Sequence, residues 1–275
     1  MGRSQTSVRS PLAWRITHAT KAPALALAGI AVVLGVWWLI ALQLGPVRLP
    51  TPGQVWDALR ADFNNVPAVE FSSFQTGGIK VAVGYTVVNV IVGVGIGSVA
   101  GFLVGALLGT SRAARELLSL PLTILSTMPV LILAPFLVIW FGTARIVQAG
   151  LVIMFAFVTL AAVVRGATED VSGHYRNYAA SLGAGRGMTL REVILPAVVP
   201  PTIGGVRVAL ATGWSFEAVA ELLGGSRGTG KLIQTLQGMS ATADIMAALA
   251  ALAIVGVAID TIVAAAGKWV IRWQE

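Results

Sequence analysis

The sequence predicts an all-α integral membrane protein with about six transmembrane helices. Of its 275 residues, 56% are hydrophobic and only 11% are charged, and the mean hydropathy is +0.82. A soluble domain carries about 25% charged residues, so this chain cannot cover itself with a polar surface. Long apolar runs without alternation favour helices over barrel strands, because a helix satisfies its backbone polar groups within one segment.

Six apolar runs approach or exceed the roughly 20 residues that a helix needs to cross the hydrocarbon core. After an N-terminal tail at 1–21, they divide the single membrane domain 22–275 into spans at 22–44, 79–108, 117–141, 146–164, 199–223 and 245–267. The second run is long for a perpendicular helix, which predicts tilt or protrusion. The first run exceeds the roughly 7–15 apolar residues of a signal core and lacks a following A-x-A site, which predicts a retained helix.

The placement of Lys and Arg predicts the orientation. Twelve of them lie on the side that holds both termini, six lie on the opposite side, and Arg207 lies inside the fifth run. Because cytoplasmic segments carry the excess of positive charge, both termini are predicted to be cytoplasmic, as is the polar connection at 170–196. The net charge of +7 is explained by topology, so the composition does not indicate nucleic-acid binding.

The external segment 45–78 contains the start of a short helix. Thr51 is a suitable N-cap and Pro52 suits the first helical position. Val55, Trp56, Leu59 and Phe63 then share an apolar face, while Asp57, Arg60 and Asp62 are expected to point elsewhere. This pattern predicts a helix that lies on the outer membrane surface or packs against the bundle.

Small residues mark one face of the second span. Its glycines recur every four residues, at Gly93, Gly97, Gly101, Gly105 and Gly109. Such a face allows close backbone approach between helices in lipid. The partner is either another helix of the same chain or a second copy.

The segment Gly225–Lys231 fits only the first part of the phosphate-loop pattern G-x-x-x-x-G-K-[ST]. Leu232 stands where a magnesium-binding hydroxyl is required, and the segment is predicted to be external. A glycine-rich turn is therefore expected here, and any ATP that drives the protein must bind a partner.

The cytoplasmic connection is predicted to be a helical hairpin. Residues from Ser172 to Leu182 suit a short helix that ends at Gly183. A second helix can start at Thr189, whose spacing to Glu192 is that of a capping box. The hairpin is either a plain connection or a docking element.

This hairpin resembles the signature loop of binding-protein-dependent ABC importer permeases, whose pattern is E-A-A-x3-G-x9-I-x-L-P. Gly183, Leu195 and Pro196 match it, while Asn177 and Tyr178 replace the first Glu and Ala. In that family the loop fits a cleft on the ATPase subunit. The resemblance therefore implies these ATPase-coupling residues: Asn177, Tyr178, Ala179, Ala180, Leu182, Gly183, Leu195 and Pro196.

Further segments resemble the nitrate/sulfonate/taurine subfamily in sequence order. They are Leu49–Pro52 with Val55-Trp56, Ser126–Pro129, Ile139–Gly142, Trp214-Ser215, Ala220-Glu221 and Gly228–Leu232. The resemblance implies the type I ABC importer permease fold in a bacterial inner membrane. Two copies would line the pathway, two ABC ATPase subunits would carry ATP and magnesium, and an external solute-binding protein would deliver a small solute. The chain itself is expected to hold no cofactor or metal and to catalyse nothing.

Ionisable residues lie within the apolar runs, among them Arg207, Glu217, Glu221 and Asp260. A charge there costs roughly 2.5–3.5 kcal/mol, so each should face protein or a water-filled cavity. Glu217 and Glu221 share a helix face and repel each other, and Arg207 of this or another copy is a candidate counter-charge. They mark either a structural charge pair or the solute path, whose candidate residues are Ser126, Met128, Arg207, Trp214, Glu217 and Glu221.

The substrate class remains open at this point. The resemblance implies a sulfonate-, taurine- or nitrate-like anion or a related small organic molecule, but an acidic pair beside the path fits an anion poorly. An ion- or proton-coupled transporter that uses Glu217, Glu221 and Asp260 is the alternative, and dependence on ATP or on an ion gradient separates the two. An intramembrane hydrolase is disfavoured because no histidine lies in a predicted span.

Overall fold

The computed structural model describes residues 11–69, 77–142, 145–171 and 173–271, and the regular elements in these ranges are all helical. Arg3, Arg9 and Arg272, which contributed to the predicted orientation, lie outside these ranges. The helices are α1 (Pro11–Leu44), α2 (Pro52–Asp62), α3 (Gly78–Thr110), α4 (Arg112–Thr127), α5 (Val130–Phe141), α6 (Arg145–Asp170), α7 (Gly173–Ser181), α8 (Arg186–Thr189), α9 (Leu195–Gly224), α10 (Thr229–Gly238) and α11 (Thr242–Val270).

Within the described ranges, five helices are long and apolar enough to cross a membrane, and α4 with α5 supplies a sixth if the pair forms one span. This confirms the predicted number. The third predicted span is broken between Thr127 and Val130, and its two halves meet at 102°. Pro129 is extended there, with φ −68° and ψ 97°. Met128 is extended too, with ψ 130°, because the residue before a proline is disfavoured in the helical region.

The fifth span begins earlier than predicted, because α8 continues into α9 through a π-helical segment at Leu190–Ile194. The prediction that Thr189 caps a new helix was wrong. Thr189 has helical dihedrals of −58° and −41°, and its hydroxyl donates to the Gly185 carbonyl at 3.2 Å. The Leu195 N–H bonds to the Leu190 carbonyl, a wider π-type turn that leads the chain into Pro196.

The glycine face of α3 packs against α6 of the same chain. A Cβ atom added at Gly101 would lie 2.5 Å from the Phe157 carbonyl oxygen, and one at Gly105 would lie 2.7 Å from that of Ala161. These distances are too short for a side chain, so the two backbones touch where only hydrogen fits. Of the two partners left open by the sequence, the structure selects the helix of the same chain.

We expect Gly101→Ala to destabilise the protein by about 1–3 kcal/mol, because the new methyl group overpacks a backbone contact. Gly95 supplies a matched control on the same helix, since a Cβ there meets nothing within 4 Å. Gly95→Ala should leave stability within about 1 kcal/mol of the wild type. Thermal unfolding of the two purified variants in detergent measures the difference, and equal midpoints would refute the contact.

The short helix α2 packs against the bundle through one side. The predicted Thr51 cap is confirmed, and Gln54 completes a reciprocal capping box with Thr51. Val55 is buried in a cluster with Val83 of α3 and Leu232 of α10, whereas Trp56 and Phe63 remain about half exposed. The structure therefore supports packing against the bundle for the Val55 side of the helix.

Asp62 does not point outward as predicted. Its side chain is 6% exposed and is hydrogen-bonded to the carboxyl group of Asp244 in the first turn of α11. Burial, followed by the charge of Asp244 and this hydrogen bond, raises the pKa of Asp62 from 3.8 to about 6. The packing of α2 on α11 therefore favours the protonated carboxyl.

This raised pKa predicts that the attachment of α2 weakens with rising pH. The stabilisation is fully present below pH 4 and is lost as the pH rises through about 6, which is the pKa of Asp62 in the folded protein. The total effect is about 2 kcal/mol. Asp62→Asn, which mimics the protonated group, should flatten the stability profile between pH 4.5 and 8. Asp57→Asn on the same helix should leave the profile of the wild type, and an unchanged slope in Asp62→Asn would count against the pair.

Candidate functional site

The turn before α10 closes around the carboxylate of Glu221. Glu221 is fully buried, and its Oε2 accepts the Gly230 N–H at 2.8 Å. The Thr86 hydroxyl lies 2.8 and 3.0 Å from the two carboxylate oxygens and accepts the Thr229 N–H at 2.9 Å. Gly228 has φ +100°, and a Cβ there would overlap the Glu221 carboxyl group. The predicted glycine-rich turn is confirmed.

This arrangement explains why the turn is not a phosphate loop. The Gly230 N–H of the turn and the Thr86 hydroxyl of α3 already bond to the Glu221 carboxylate of the same chain. These hydrogen-bonding groups are therefore already engaged and are not free to bind a phosphate.

Glu217 lies one helical turn earlier on α9, and a polar chain links it to α3 and α6. Its Oε1 accepts the Asn89 amide N–H at 2.6 Å, and the Asn89 oxygen accepts the Arg145 Nε–H at 2.5 Å. The Arg145 guanidinium lies 4.7 Å from the ring centre of Tyr85. The Tyr85 hydroxyl donates to the Gln148 oxygen at 3.2 Å. Arg145 thus provides the positive charge on the Glu217 side of the bundle.

Arg207 pairs elsewhere. Its guanidinium donates two hydrogen bonds of 2.8 Å to the two carboxylate oxygens of Asp260 on α11. The side chains are 45% and 40% exposed in this chain. A charged pair inside two spans is costly against lipid, so this face meets water or another protein surface. Within the chain, Arg207 is therefore not the counter-charge of Glu217 and Glu221, and a contribution from Arg207 of another copy stays a prediction.

The other candidate path residues lie on two different sides of α9. Trp214 lines a groove of about 520 Å³ between α9 and α11, which ends at Asp260. Ser126 and Met128 line a cavity of about 340 Å³ at the break between α4 and α5. Phe216 of α9 closes that cavity, and its ring lies 4.6 Å from that of Phe155. Glu217 and Glu221 line neither space.

The hairpin α7–α8 presents apolar side chains to its surroundings. The predicted end of α7 is confirmed, with Gly183 at φ +83° and the Ala184 N–H bonded to the Ala179 carbonyl at 3.0 Å. Tyr178 and Leu182 are 68% and 72% exposed. Ser172, at the predicted start of the helix, lies outside the described residues. Exposed Tyr and Leu on a projecting hairpin are typical of a surface that another protein covers.

Thr86, Asn89 and Arg145 were missed in the sequence. The signal was present, since Thr86 and Asn89 are polar residues three apart in an apolar run. The reasoning that singled out Glu217 applies equally to buried amides and hydroxyls, which also require partners in a membrane. Arg145 gave no such signal because it lies at the start of a helix.

We expect Thr86→Val to destabilise the protein by about 1–3 kcal/mol, because it leaves the Thr229 N–H and one face of Glu221 without a partner. The substitution preserves side-chain shape. Thr110→Val is the control, since that exposed hydroxyl donates only to carbonyls of its own helix. Thermal unfolding and the rate of proteolysis within 225–230 should change for Thr86→Val alone. Identical behaviour of the two variants would contradict the assigned contacts.

Known proteins match the chain over most of its length. Residues 93–275 match the family described as binding-protein-dependent transport system inner membrane component. The taurine transport system permease protein TauC of Escherichia coli is 30% identical over 90% of this chain and 86% of its own length. The nitrate import permease protein NrtB of Synechocystis is 26% identical over 93% of this chain and 91% of its own.

The putative aliphatic sulfonates transport permease protein SsuC of Bacillus subtilis is 26% identical over 89% of this chain and 86% of its own length. Among solved structures, the inward-facing MetNI methionine ABC transporter superposes with a TM-score of 0.57 at 20% identity, over 70% of this chain and 93% of that chain. This last similarity concerns the fold alone. The chain therefore belongs to the binding-protein-dependent transport system inner membrane component family, and it is a multi-pass permease subunit of an ABC importer with the type I fold.

Proposed function

We propose that two copies of this chain form the translocation pathway of an importer in a bacterial inner membrane. Two ABC ATPase subunits would bind ATP and magnesium on the cytoplasmic side, and an external solute-binding protein would deliver the solute. The exposed hairpin α7–α8 carries the proposal. It exposes Tyr178 and Leu182 at the end of a short helix that Gly183 terminates, and the turn at Gly225–Lys231 already directs the Gly230 N–H to Glu221.

The hairpin α7–α8 follows α6, and α8 continues through the π-helical segment into α9. No flexible linker therefore separates the hairpin from α9. When the ATPases close on ATP, movement of the hairpin would be transmitted to α9 as a rigid body. The groove beside Trp214 and the cavity at Ser126 and Met128 lie on opposite sides of α9. A rotation of α9 would therefore change both spaces together, which suits alternating access to a pathway.

In the proposed importer, the buried carboxylates of Glu217 and Glu221 have a structural role. Glu217 and Glu221 connect α9 to α3 and to the turn before α10, so they would hold the external end of the pathway in one arrangement. An ion-coupled mechanism would instead require them, or Asp260, to exchange an ion with a water-filled space. Asp260 is held by Arg207, and the two glutamates are fully buried.

The proposed cargo is a small oxyanion of the sulfonate or nitrate type. The names of three relatives support this class, as they refer to taurine, aliphatic sulfonates and nitrate. A relative from Chloroflexus aurantiacus is named as a riboflavin transport permease and is 32% identical over 53% of this chain. A heterocyclic cargo is therefore the second candidate, and ligand binding to the purified solute-binding protein separates the two.

The first experiment is purification of the tagged protein from its native membrane in mild detergent, followed by mass spectrometry of stoichiometric partners. We expect an ABC ATPase at one copy per permease. Repeated purification of an intact complex without an ATPase would overturn the proposal.

We expect Gly183→Val to reduce ATPase co-purification severalfold while membrane insertion stays normal. A β-branched residue at φ +83° costs about 1–3 kcal/mol and would deform the end of α7. Gly185→Val is the matched control, since that exposed residue has an ordinary φ and open space around it. Equal ATPase recovery with the two variants would refute the role of the hairpin.

A further inference from the structure

A ladder of hydroxyl groups runs along one face of α4. Ser119, Thr123 and Ser126 are spaced by four and three residues, which places them on the same side of the helix. All three line a cavity of about 270 Å³ between α4 and α6. None of the described α4 side chains is buried, although α4 belongs to the bent pair that supplies the sixth candidate span, where polar groups are costly in lipid. The hydroxyl face therefore requires a polar environment.

An arginine lies at one end of this ladder. Arg165 of α6 directs Nη1 to the Ser119 hydroxyl oxygen at 3.4 Å and Nε to Glu169 at 3.1 Å. Glu169 also pairs with Arg115 at 3.3 Å, so two guanidinium groups share one carboxylate and leave the cluster with a surplus positive charge. Arg115 also donates hydrogen bonds to the carbonyls of Leu108 and Gly109 at the end of α3. The remaining N–H groups of Arg165 have no hydrogen-bond acceptor among the described residues.

The ladder joins the break in the third span. Ser126 and Val158 line both this cavity and the cavity at Met128 and Pro129. The two adjoining cavities, which share these two residues, are here together named the α4–α6 groove. The groove extends from the break between α4 and α5 to Arg165. Its lining carries hydroxyls and a guanidinium, with Glu169 as its one carboxylate among the described residues. Glu217 and Glu221 line neither cavity, so the expected conflict between an acidic pair and an anionic solute does not arise here.

Two hydroxyl groups of the ladder donate to carbonyls of their own helix. Thr123 donates to the Ser119 carbonyl at 2.8 Å and Ser126 donates to the Thr123 carbonyl at 2.8 Å. Those carbonyls belong to the helix, so rotation of a hydroxyl toward a solute leaves the backbone ladder intact. A serine or threonine can therefore switch from its own helix to an oxyanion without unfolding.

We propose that the α4–α6 groove is an anion-conducting segment of the pathway, in which Arg165 and the hydroxyls of Ser119, Thr123 and Ser126 bind a sulfonate- or nitrate-like oxyanion weakly and in succession. This assignment rests on the proposed function for its role in transport, but the binding chemistry is independent of it. One partly compensated guanidinium at the surface of a groove attracts an anion without trapping it. Weak binding lets the solute leave the groove as well as enter it.

The first test uses a single thiol. The chain contains no cysteine, so Thr123→Cys introduces one reporter in the groove, and Ser240→Cys introduces a control in the turn between α10 and α11. Each variant, as purified full-length protein, reacts with a methanethiosulfonate that carries a sulfonate or a trimethylammonium group. Relative to the control, Thr123→Cys should favour the sulfonate reagent by about fivefold. Adding Arg165→Gln should abolish that preference, whereas Arg165→Lys should retain it.

A preference equal to that of Ser240→Cys, or one that survives Arg165→Gln, would overturn the anion site. An unreactive thiol at Thr123→Cys would overturn it too, since the groove would then be covered. These outcomes do not depend on an ATPase or on transport, so they leave the proposed function standing.

The second test addresses transport in proteoliposomes that contain the complete importer. The probe is whichever of taurine, ethanesulfonate and nitrate the purified solute-binding protein retains. Thr123→Val and Arg165→Gln should lower uptake about tenfold at unchanged ATP hydrolysis, and Thr123→Ser should restore it. Thr261→Val, which removes a hydroxyl of the same type from α11, should leave uptake unchanged. Normal uptake in both groove variants would exclude the groove from the pathway.

Discussion

The backbone contact between α3 and α6 is the constraint on which the rest of the structure depends. Lipid offers no hydrophobic driving force between helices, so close packing and satisfied polar groups must hold the bundle together. Gly97, Gly101 and Gly105 let α3 approach the carbonyl edge of α6. Val152, Ala156 and Leu160 are fully buried at this contact, and α9 packs into the same cluster through Ala209 and Leu210. Three spans are thereby fixed relative to one another.

That fixed core determines which polar groups meet at one end of the bundle. Because α3 lies against α6 and α9, Thr86 reaches Glu221 and Asn89 lies between Glu217 and Arg145. Each buried carboxylate gains a specific donor, which is the condition for keeping such a group in a membrane. The same contacts hold the turn at Gly228–Gly230 closed. In the single chain, the acidic residues of α9 are therefore held by contacts with neighbouring elements.

The elements left outside the core are those that the proposed transport cycle uses. The break between α4 and α5, the hydroxyl face of α4 and the hairpin α7–α8 are all exposed in the single chain. Exposed polar and aromatic groups at such places imply further protein or water around them. A permease that works as a pair, with ATPases below and a binding protein above, would supply both.

The sequence by itself determined the fold class, the number of spans, the caps at Thr51 and Gly183, and the family. These depend on local chemistry, such as the length of an apolar run, a capping side chain or a residue that tolerates positive φ. Only the tertiary structure decided the partner of the glycine face, the pairing of Arg207 with Asp260 rather than with the glutamates, the burial of Asp62, and the alignment of the α4 hydroxyls with Arg165. Each of these depends on which helices become neighbours and on their rotation about their axes, and a single sequence carries no direct record of either.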